Sequence, residues 1–375
     1  MRVLFVTKAL SPPWNDAGKL VPRDLAVALA ETHEVDVLVA RDDAAPWPRG
    51  IRAHRVHPPS SGYRTGALAQ LAVMAATWRL SGAADLLHFF FQPHRRASQA
   101  SRWLTRACRR PSVHTVLSAP AAGIPLPGLL FADRSVTLSL HTARSLSAGG
   151  ATPDVVPPGL ADTAPVGEER MRAALAECGL APGFALYPGD YEAGGHDLLL
   201  AAWSASSDLP VLVFAGRAKT PEAGRLRSRI ENDVAAAGLA SRVHVLGTVS
   251  DMPGLIASAA AVLFPARTLH AKTDVPLVLL EAWRESVPVL VSDLPPLIEM
   301  VDGVSPVLPL DAARWTDAVR RLPASAAAWG RAGRARLDER YHARRCAARY
   351  AEIYRQLVDP TRHPVHAAGP AVSAP

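Results

Sequence analysis

Between positions 264 and 299 the sequence FPARTLHAKTDVPLVLLEAWRESVPVLVSDLPPLIE sets one cation, two carboxylates and a helix start close together: Lys272, Asp274, Pro276 and Glu281. A lysine beside unpaired first-turn amides is a means of holding phosphate, because the helix dipole adds positive potential to the charge. Pro276 suits that first turn, where no backbone donor is lost. Asp274 and Glu281 can accept hydrogen bonds from hydroxyls, so together the residues suit a phosphate carrying sugars. An ordinary strand-loop-helix unit, with Asp274 capping and Glu281 on a solvated face, uses the same residues.

The elements that must position this loop are legible on either side of it. Residues 259–264 read as a buried strand ending at Pro265, and 287–293 (VPVLVSD) as the next strand, which makes the segment between them a crossover helix. A loop leaving the carboxyl end of a strand in an open parallel sheet lies where such sheets bind ligands. The same alternation begins at the N-terminus: strand 2–7, loop 11–18, helix 19–31 and strand 34–40. No G-x-G-x-x-G follows the first strand, so a dinucleotide fingerprint is absent.

Further on, the pattern predicts a short strand at 52–58, a helix at 66–80, a buried strand through ADLLHFFFQPH, a helix at 98–110 and a strand at 112–120. His88 inside the apolar run reads as a satisfied core residue, whereas His94 and Arg95 follow a proline at the strand end. A strand over 130–140 precedes His141 and Ser145. VVPPGL (155–160) and the linker 161–167 set the boundary between two domains, 1–162 and 163–340. The second opens with a helix at 168–178 and a strand at 184–190. Strands 211–216 and 242–249 and helices 222–237, 250–259, 312–321 and 324–340 complete it. A last helix spans 341–358, and 359–375 has no core-forming pattern and reads as disordered.

Length and composition fit two globular α/β domains: 375 residues, 49% hydrophobic and 20% charged. No apolar stretch reaches the length of a membrane span, and the N-terminus lacks the order of a signal peptide. Cys108, Cys178 and Cys346 have neither metal nor redox spacing, which fits a reducing compartment. The net charge of +7 comes almost wholly from arginine, since lysine occurs only at 8, 19, 219 and 272. These features predict a cytoplasmic protein whose basic surface leaves peripheral membrane contact open.

Strand, polar loop, PLVLLEA, short turn and PVLVSD resemble the donor-binding segment of the family 4 retaining glycosyltransferases of the GT-B fold (glycosyl transferases group 1). The likeness is strong over 184–300 and looser before Gly159. It implies two Rossmann-like domains facing across a cleft, a nucleotide-sugar donor, retention of anomeric configuration, no cofactor or metal, and no nucleic-acid partner. It implies Glu281 for the nucleotide ribose, Lys272 and the backbone of Val275, Pro276 and Leu277 for phosphate, and Asp274 for a hydroxyl of the transferred sugar. The first loop of that fold faces the cleft, which makes Trp14, Asn15, Asp16 and Gly18 acceptor-side candidates, with His94. The last helix is expected to cross back onto the first domain.

The sequence departs from the family at three places. Thr273 stands where the first of two glutamates is usual, and Leu117 and Ser118 where a histidine often ends a strand. Asp190 and Gly194 stand where an arginine and a lysine hold the donor's diphosphate. Arg217 and Lys219, after strand 211–216, are the candidate replacements, an arginine fork binding phosphate oxygens in pairs and a lysine acting as a point charge. A GT-B module that has lost catalysis and serves another transferase, or a sugar-nucleotide epimerase or hydrolase, would share this architecture.

Overall fold

The structure, a computed structural model, describes residues 1–59, 67–120, 126, 128–189, 191–218, 220–270 and 272–359. Asp190, Lys219 and the tail beyond Asp359 lie outside the described residues.

Among the described residues the strands form two parallel sheets. The first holds β1 (Arg2–Val6), β2 (Glu34–Ala40), β3 (Ile51–His57), β4 (Leu86–Phe91), β5 (Ser112–Val116), β6 (Arg134–Thr137) and β7 (Asp154–Val155). Their order is β3-β2-β1-β4-β5-β6-β7. The second holds β8 (Ala185–Gly189), β9 (Leu212–Gly216), β10 (Val243–Leu246), β11 (Ala261–Phe264), β12 (Val289–Ser292) and β13 (Val307–Leu308), in the order β10-β9-β8-β11-β12-β13. Both orders reverse direction beside the first strand of the sheet, the position at which loops on either side diverge and leave a crevice.

Helices of the first lobe are α1 (Ala17–Leu29), α2 (Ala67–Ser81), α3 (Arg95–Cys108) and α4 (Leu140–Ser147). Those of the second are α5 (Glu168–Cys178), α6 (His196–Ala205), α7 (Pro221–Ala236), α8 (Met252–Ala257), α9 (Leu277–Arg284), α10 (Pro295–Val301), α11 (Ala312–Arg320) and α12 (Leu322–Arg340). The last helix among the described residues is α13 (Ala343–Val358), capped by His342. Cys346, Tyr350, Ile353 and Tyr354 of α13 pack with Val3, Phe5, Val113 and Val136 of the first sheet. On the opposite face Leu104 of α3 packs on Leu4, Leu87 and Phe89, with Val73 and Leu80 of α2 at the margin.

Three local differences from the sequence reading have simple causes. The expected strand over 130–140 stops at Thr137, because Ser139 turns the chain and accepts from Thr142 N at 3.1 Å to start α4. His94 caps α3 through Ala97 N at 3.3 Å, so that helix starts before Ser98. Helix α6 follows two glycines with positive φ (Gly194 at 81° and Gly195 at 86°), a start that no usual capping residue announces.

His88 is a satisfied core residue. Its ring nitrogens meet Tyr354 Oη at 2.6 Å and Thr115 Oγ1 at 2.7 Å, and Thr115 Oγ1 meets Tyr350 Oη at 2.7 Å. Burial holds the imidazole well below its usual pKa, so the neutral ring donates at one nitrogen and accepts at the other. Tyr354→Phe strands a ring nitrogen in a dry core, and chemical denaturation should show a loss of roughly 1–3 kcal/mol.

Two segments cross between the lobes, and they run side by side. Leu160 N donates to Tyr341 O at 2.8 Å and Ala343 N to Leu160 O at 3.1 Å. The linker after this point is tied to each lobe by a carboxylate: Ala161 N donates to Asp24 at 3.3 Å, and Val166 N to Glu285 at 3.0 Å.

Candidate functional site

A cleft of about 530 Å³ lies between the carboxyl ends of the two sheets. Both lobes line it: Lys8, Trp14, Gly18, Gln92 and Ser118 from the first, and Gly189, Arg217, Thr248, Lys272 and Glu281 from the second. Leu20 and Val21 of α1 and Leu117 share one apolar cluster with Leu277, Leu280 and Trp283, which holds the floor of the cleft together.

The loop after β11 is fixed along its length. Ser292 Oγ donates to Ala266 O at 2.6 Å, Lys272 N to Leu269 O at 3.0 Å, and Thr273 Oγ1 to Val275 O at 3.1 Å. Pro276 caps α9 rather than opening it; Leu277 is the first helical residue. In the first turn of α9, Leu279 N donates to Pro276 O at 3.0 Å, while the amides of Leu277 and Val278 have no partner inside the helix, and Pro276, Leu277 and Val278 line the cleft with Lys272. Glu281 lies half-buried in the same wall. Burial pushes its carboxyl up to about 7, opposed by Arg284 and reinforced by Asp24.

Asp274 is placed otherwise than the sequence reading expected. It is buried, is not among the residues lining the cleft, and accepts from Ser139 Oγ at 2.5 Å, while its own amide donates to Leu117 O at 3.1 Å. Burial raises its pKa, with Ser139 pulling the other way. Val275 is likewise buried away from the cleft. Beside Asp274, Glu299 of α10 accepts from Leu140 N at 2.9 Å and His141 N at 3.1 Å and also holds Arg340 at 3.0 Å. Two carboxylates of the second lobe thus grip the N-terminus of α4 in the first, with the sign a helix N-terminus favours.

Of the candidate cations, Arg217 lines the cleft and donates to Asn15 O at 3.2 Å across it. Gly194 leaves open the space a side chain would fill, and that space is covered by Arg267, whose Cδ lies 3.1 Å from the position of a Cβ on Gly194. The Arg267 guanidinium pairs with Asp197 at 2.7 Å. Gly189, at the end of β8, has φ 109°, a conformation that only glycine adopts without strain, and its backbone borders the cleft.

The first loop brings Trp14, Asn15, Asp16 and Gly18 to the cleft. Asp16 caps α1 through Gly18 N at 2.9 Å and pairs with Lys8 Nζ at 2.7 Å. Trp14 stacks edge-on against Trp47 and lies under the Arg23 guanidinium at 5.0 Å. His94 is not among the lining residues; it is exposed at the start of α3 and its ring is engaged in the cap.

Lys8 and Ser118 are among the lining residues that the sequence did not single out for the site. Lys8 leaves the end of β1, and its end fills the space beside Gly18, 2.8 Å from a Cβ placed there. The scarcity of lysine was the available signal. Ser118, just past β5, is buried and its Oγ has no hydrogen-bond partner among the described residues. An unpartnered hydroxyl in a cleft wall suits a ligand hydroxyl.

A family model described as "Glycosyl transferases group 1" matches residues 184–325, all within the second lobe. The comparison with curated proteins gave no match. Among solved structures, the chain is similar to sucrose-phosphate synthase from Thermosynechococcus elongatus at 21% identity, covering 96% of this chain and 99% of that chain with a TM-score of 0.73. It is similar to Anabaena HepE in complex with UDP-glucose at 16% identity, covering 95% and 100% with a TM-score of 0.72. A glycosyltransferase from Rickettsia africae is similar at 13% identity, covering 95% and 98% with a TM-score of 0.69. These likenesses span both lobes, and the fold is GT-B: two parallel α/β lobes facing across a cleft.

Proposed function

We propose that the protein is a retaining glycosyltransferase of the family 4 type, moving a sugar from a nucleoside diphosphate donor to an acceptor hydroxyl in the cleft. The observation that carries this reading is the wall made by Lys272, the amides at the start of α9 and Glu281. It offers a cation, oriented N–H donors and a carboxylate in the order that a sugar diphosphate followed by a ribose requires. In this reading Glu281 accepts from the ribose hydroxyls, and Lys272, Arg217 and the backbone N–H groups of Leu277 and Val278 hold the diphosphate. Asp274 keeps a structural part, setting the loop against the first lobe, and Ser118 with Gln92 meets sugar hydroxyls from the opposite side. The complex of HepE with UDP-glucose supports uracil among the candidate bases.

The bond from the anomeric carbon to the phosphate oxygen breaks as the acceptor oxygen bonds to that carbon on the same face. The acceptor proton passes to the leaving phosphate. The protein's part is to position both partners and to stabilise charge on the leaving diphosphate.

Thermal unfolding against UDP, GDP, ADP and dTDP tests the donor site. A nucleotide at a hundred times its dissociation constant adds about 2.7 kcal/mol to the folded state, a rise of a few degrees in a chain of this size. Arg217→Ala should lower affinity for the diphosphate at least tenfold and leave that for the nucleoside unchanged. Binding of none of the four nucleotides would overturn the reading.

Arg267, paired with Asp197 above the bare Gly194, also fits a module that binds donor without turning it over. Release of free nucleoside diphosphate in the presence of an acceptor separates the two readings.

A further inference from the structure

We infer that the α2–α3 face of the first lobe docks on an anionic lipid surface. The helix α2 is apolar on all sides, yet it is only half covered by the sheet. Its outer stripe, Leu71, Ala75 and Trp78, follows the i, i+4, i+7 spacing of one helix face, and Leu71 and Trp78 are 60% and 61% exposed. A surface helix ordinarily turns such a stripe inward. On α3 the outer stripe is Arg96, Gln99, Trp103 and Arg106, with Trp103 63% exposed. Both helices pack on the same face of the first sheet through Val73, Leu80 and Leu104. Two exposed tryptophans and a leucine therefore lie on one side of the lobe.

Charge selects the partner. Neither helix contains an acidic residue. From position 67 to 110 the chain carries seven arginines and one acidic residue, Asp85, which places a net +6 of the chain's total +7 in this one segment. Arg79, Arg95, Arg96, Arg106 and Arg109 are exposed. Tryptophan settles at the level of lipid headgroups, and arginine lays its stem on apolar surface while its charge stays with phosphate. An apolar stripe bordered by cations is the pattern of an interfacial surface. A nucleic acid would satisfy the arginines and leave Leu71, Ala75 and Trp78 with nothing to contact.

The placement ties the surface to the cleft. Phe91 and Gln92 at the end of β4 line the cleft, and α3 starts at Arg95. A bilayer under α2 and α3 would lie along the cleft's rim. The inference rests on the surface alone and stands whether or not the cleft transfers a sugar.

The test is co-sedimentation of the full chain with vesicles of phosphatidylcholine, with and without 30% phosphatidylglycerol (roughly the anionic share that gives a strong surface potential). Binding to the anionic vesicles should be at least ten times tighter than to the neutral ones and should weaken as salt rises. Trp78→Ser with Trp103→Ser should lose about tenfold and abolish the blue shift of tryptophan emission. Arg79→Gln with Arg106→Gln should lose about twenty-five-fold, at roughly fivefold per arginine near the surface. All four positions are exposed, so circular dichroism and nucleotide binding should be unchanged. Absence of anionic-vesicle binding at low salt, or binding undiminished in both double variants, would overturn the proposal, as would tight binding to an oligonucleotide with none to vesicles.

Discussion

Glu281→Gln should be more stable than the wild-type protein at pH 8, equal to it at pH 4, and about a hundredfold weaker in binding its nucleotide. The sign follows from the carboxyl of Glu281, which burial raises from 4.5 to about 7. Between those values the folded state holds a proton that the unfolded chain has lost, so stability falls as pH rises through that window. The whole effect is at most about 3 kcal/mol, complete above pH 7 and absent below 4.5. Glutamine has the same shape without the charge, so urea denaturation of both proteins at the two pH values isolates this side chain. Binding moves the other way. A carboxylate that accepts from two ribose hydroxyls contributes about 3 kcal/mol, which is the hundredfold loss. The wild type should also release protons on binding nucleotide near pH 6.5, and the variant should not. Equal stability of the two proteins at pH 8 would show that Glu281 is not held in a low-dielectric wall.

Gly195→Ala should unfold the second lobe more easily by about 3 kcal/mol or more. A Cβ at this position would lie 2.0 Å from the carbonyl oxygen of Pro265, and the backbone φ of 86° is one that side-chain-bearing residues rarely adopt. Backbone strain of this kind costs about 1–3 kcal/mol. The collision adds to it, because Pro265 cannot move without shifting the loop that follows it. For a lobe of this size the melting point should fall by roughly 6–12 °C. Because that loop ends in Lys272 and the start of α9, nucleotide affinity should fall as well, even below the melting transition. Gly183→Ala provides the comparison: it has a similar φ of 92° but nothing within 4 Å of a Cβ, so it should carry the strain alone and spare the nucleotide.

How much of this was legible in the sequence depends on how local each cause is. The strand, loop and helix around Glu281 could be read because an apolar run, a proline stop and an amphipathic segment are all encoded within neighbouring residues. His88 could be read as a core histidine because its surroundings are an apolar strand. Asp274 could not, since its partner Ser139 lies 135 positions away on a helix start that only the folded chain brings near. His94 was read as facing the cleft from its place after a proline, but its ring turns back to cap its own helix. Lys8 entered the cleft unannounced, because a lysine at a strand end looks the same whether it meets solvent or a ligand. The exposed stripe on α2 was hidden for a different reason: apolar composition signals burial, and only packing shows which face has no cover.

The packing of α13 on the first sheet sets an order of events during synthesis. The seven described strands of that sheet have been made by residue 155, but the α13 side chains that complete the cover of Val3, Phe5, Val113 and Val136, from Cys346 to Tyr354, arrive last. At about 5–20 residues per second a ribosome needs roughly 10–40 s to add the intervening chain. Throughout that interval the second lobe can complete its own core, whereas the first waits with one apolar face covered only in part, by Leu25, Ala26 and Leu29 of α1. The lobe whose strands are made first is therefore the last to be finished, and a nascent chain halted before α13 leaves exposed the part of that face that α1 does not reach.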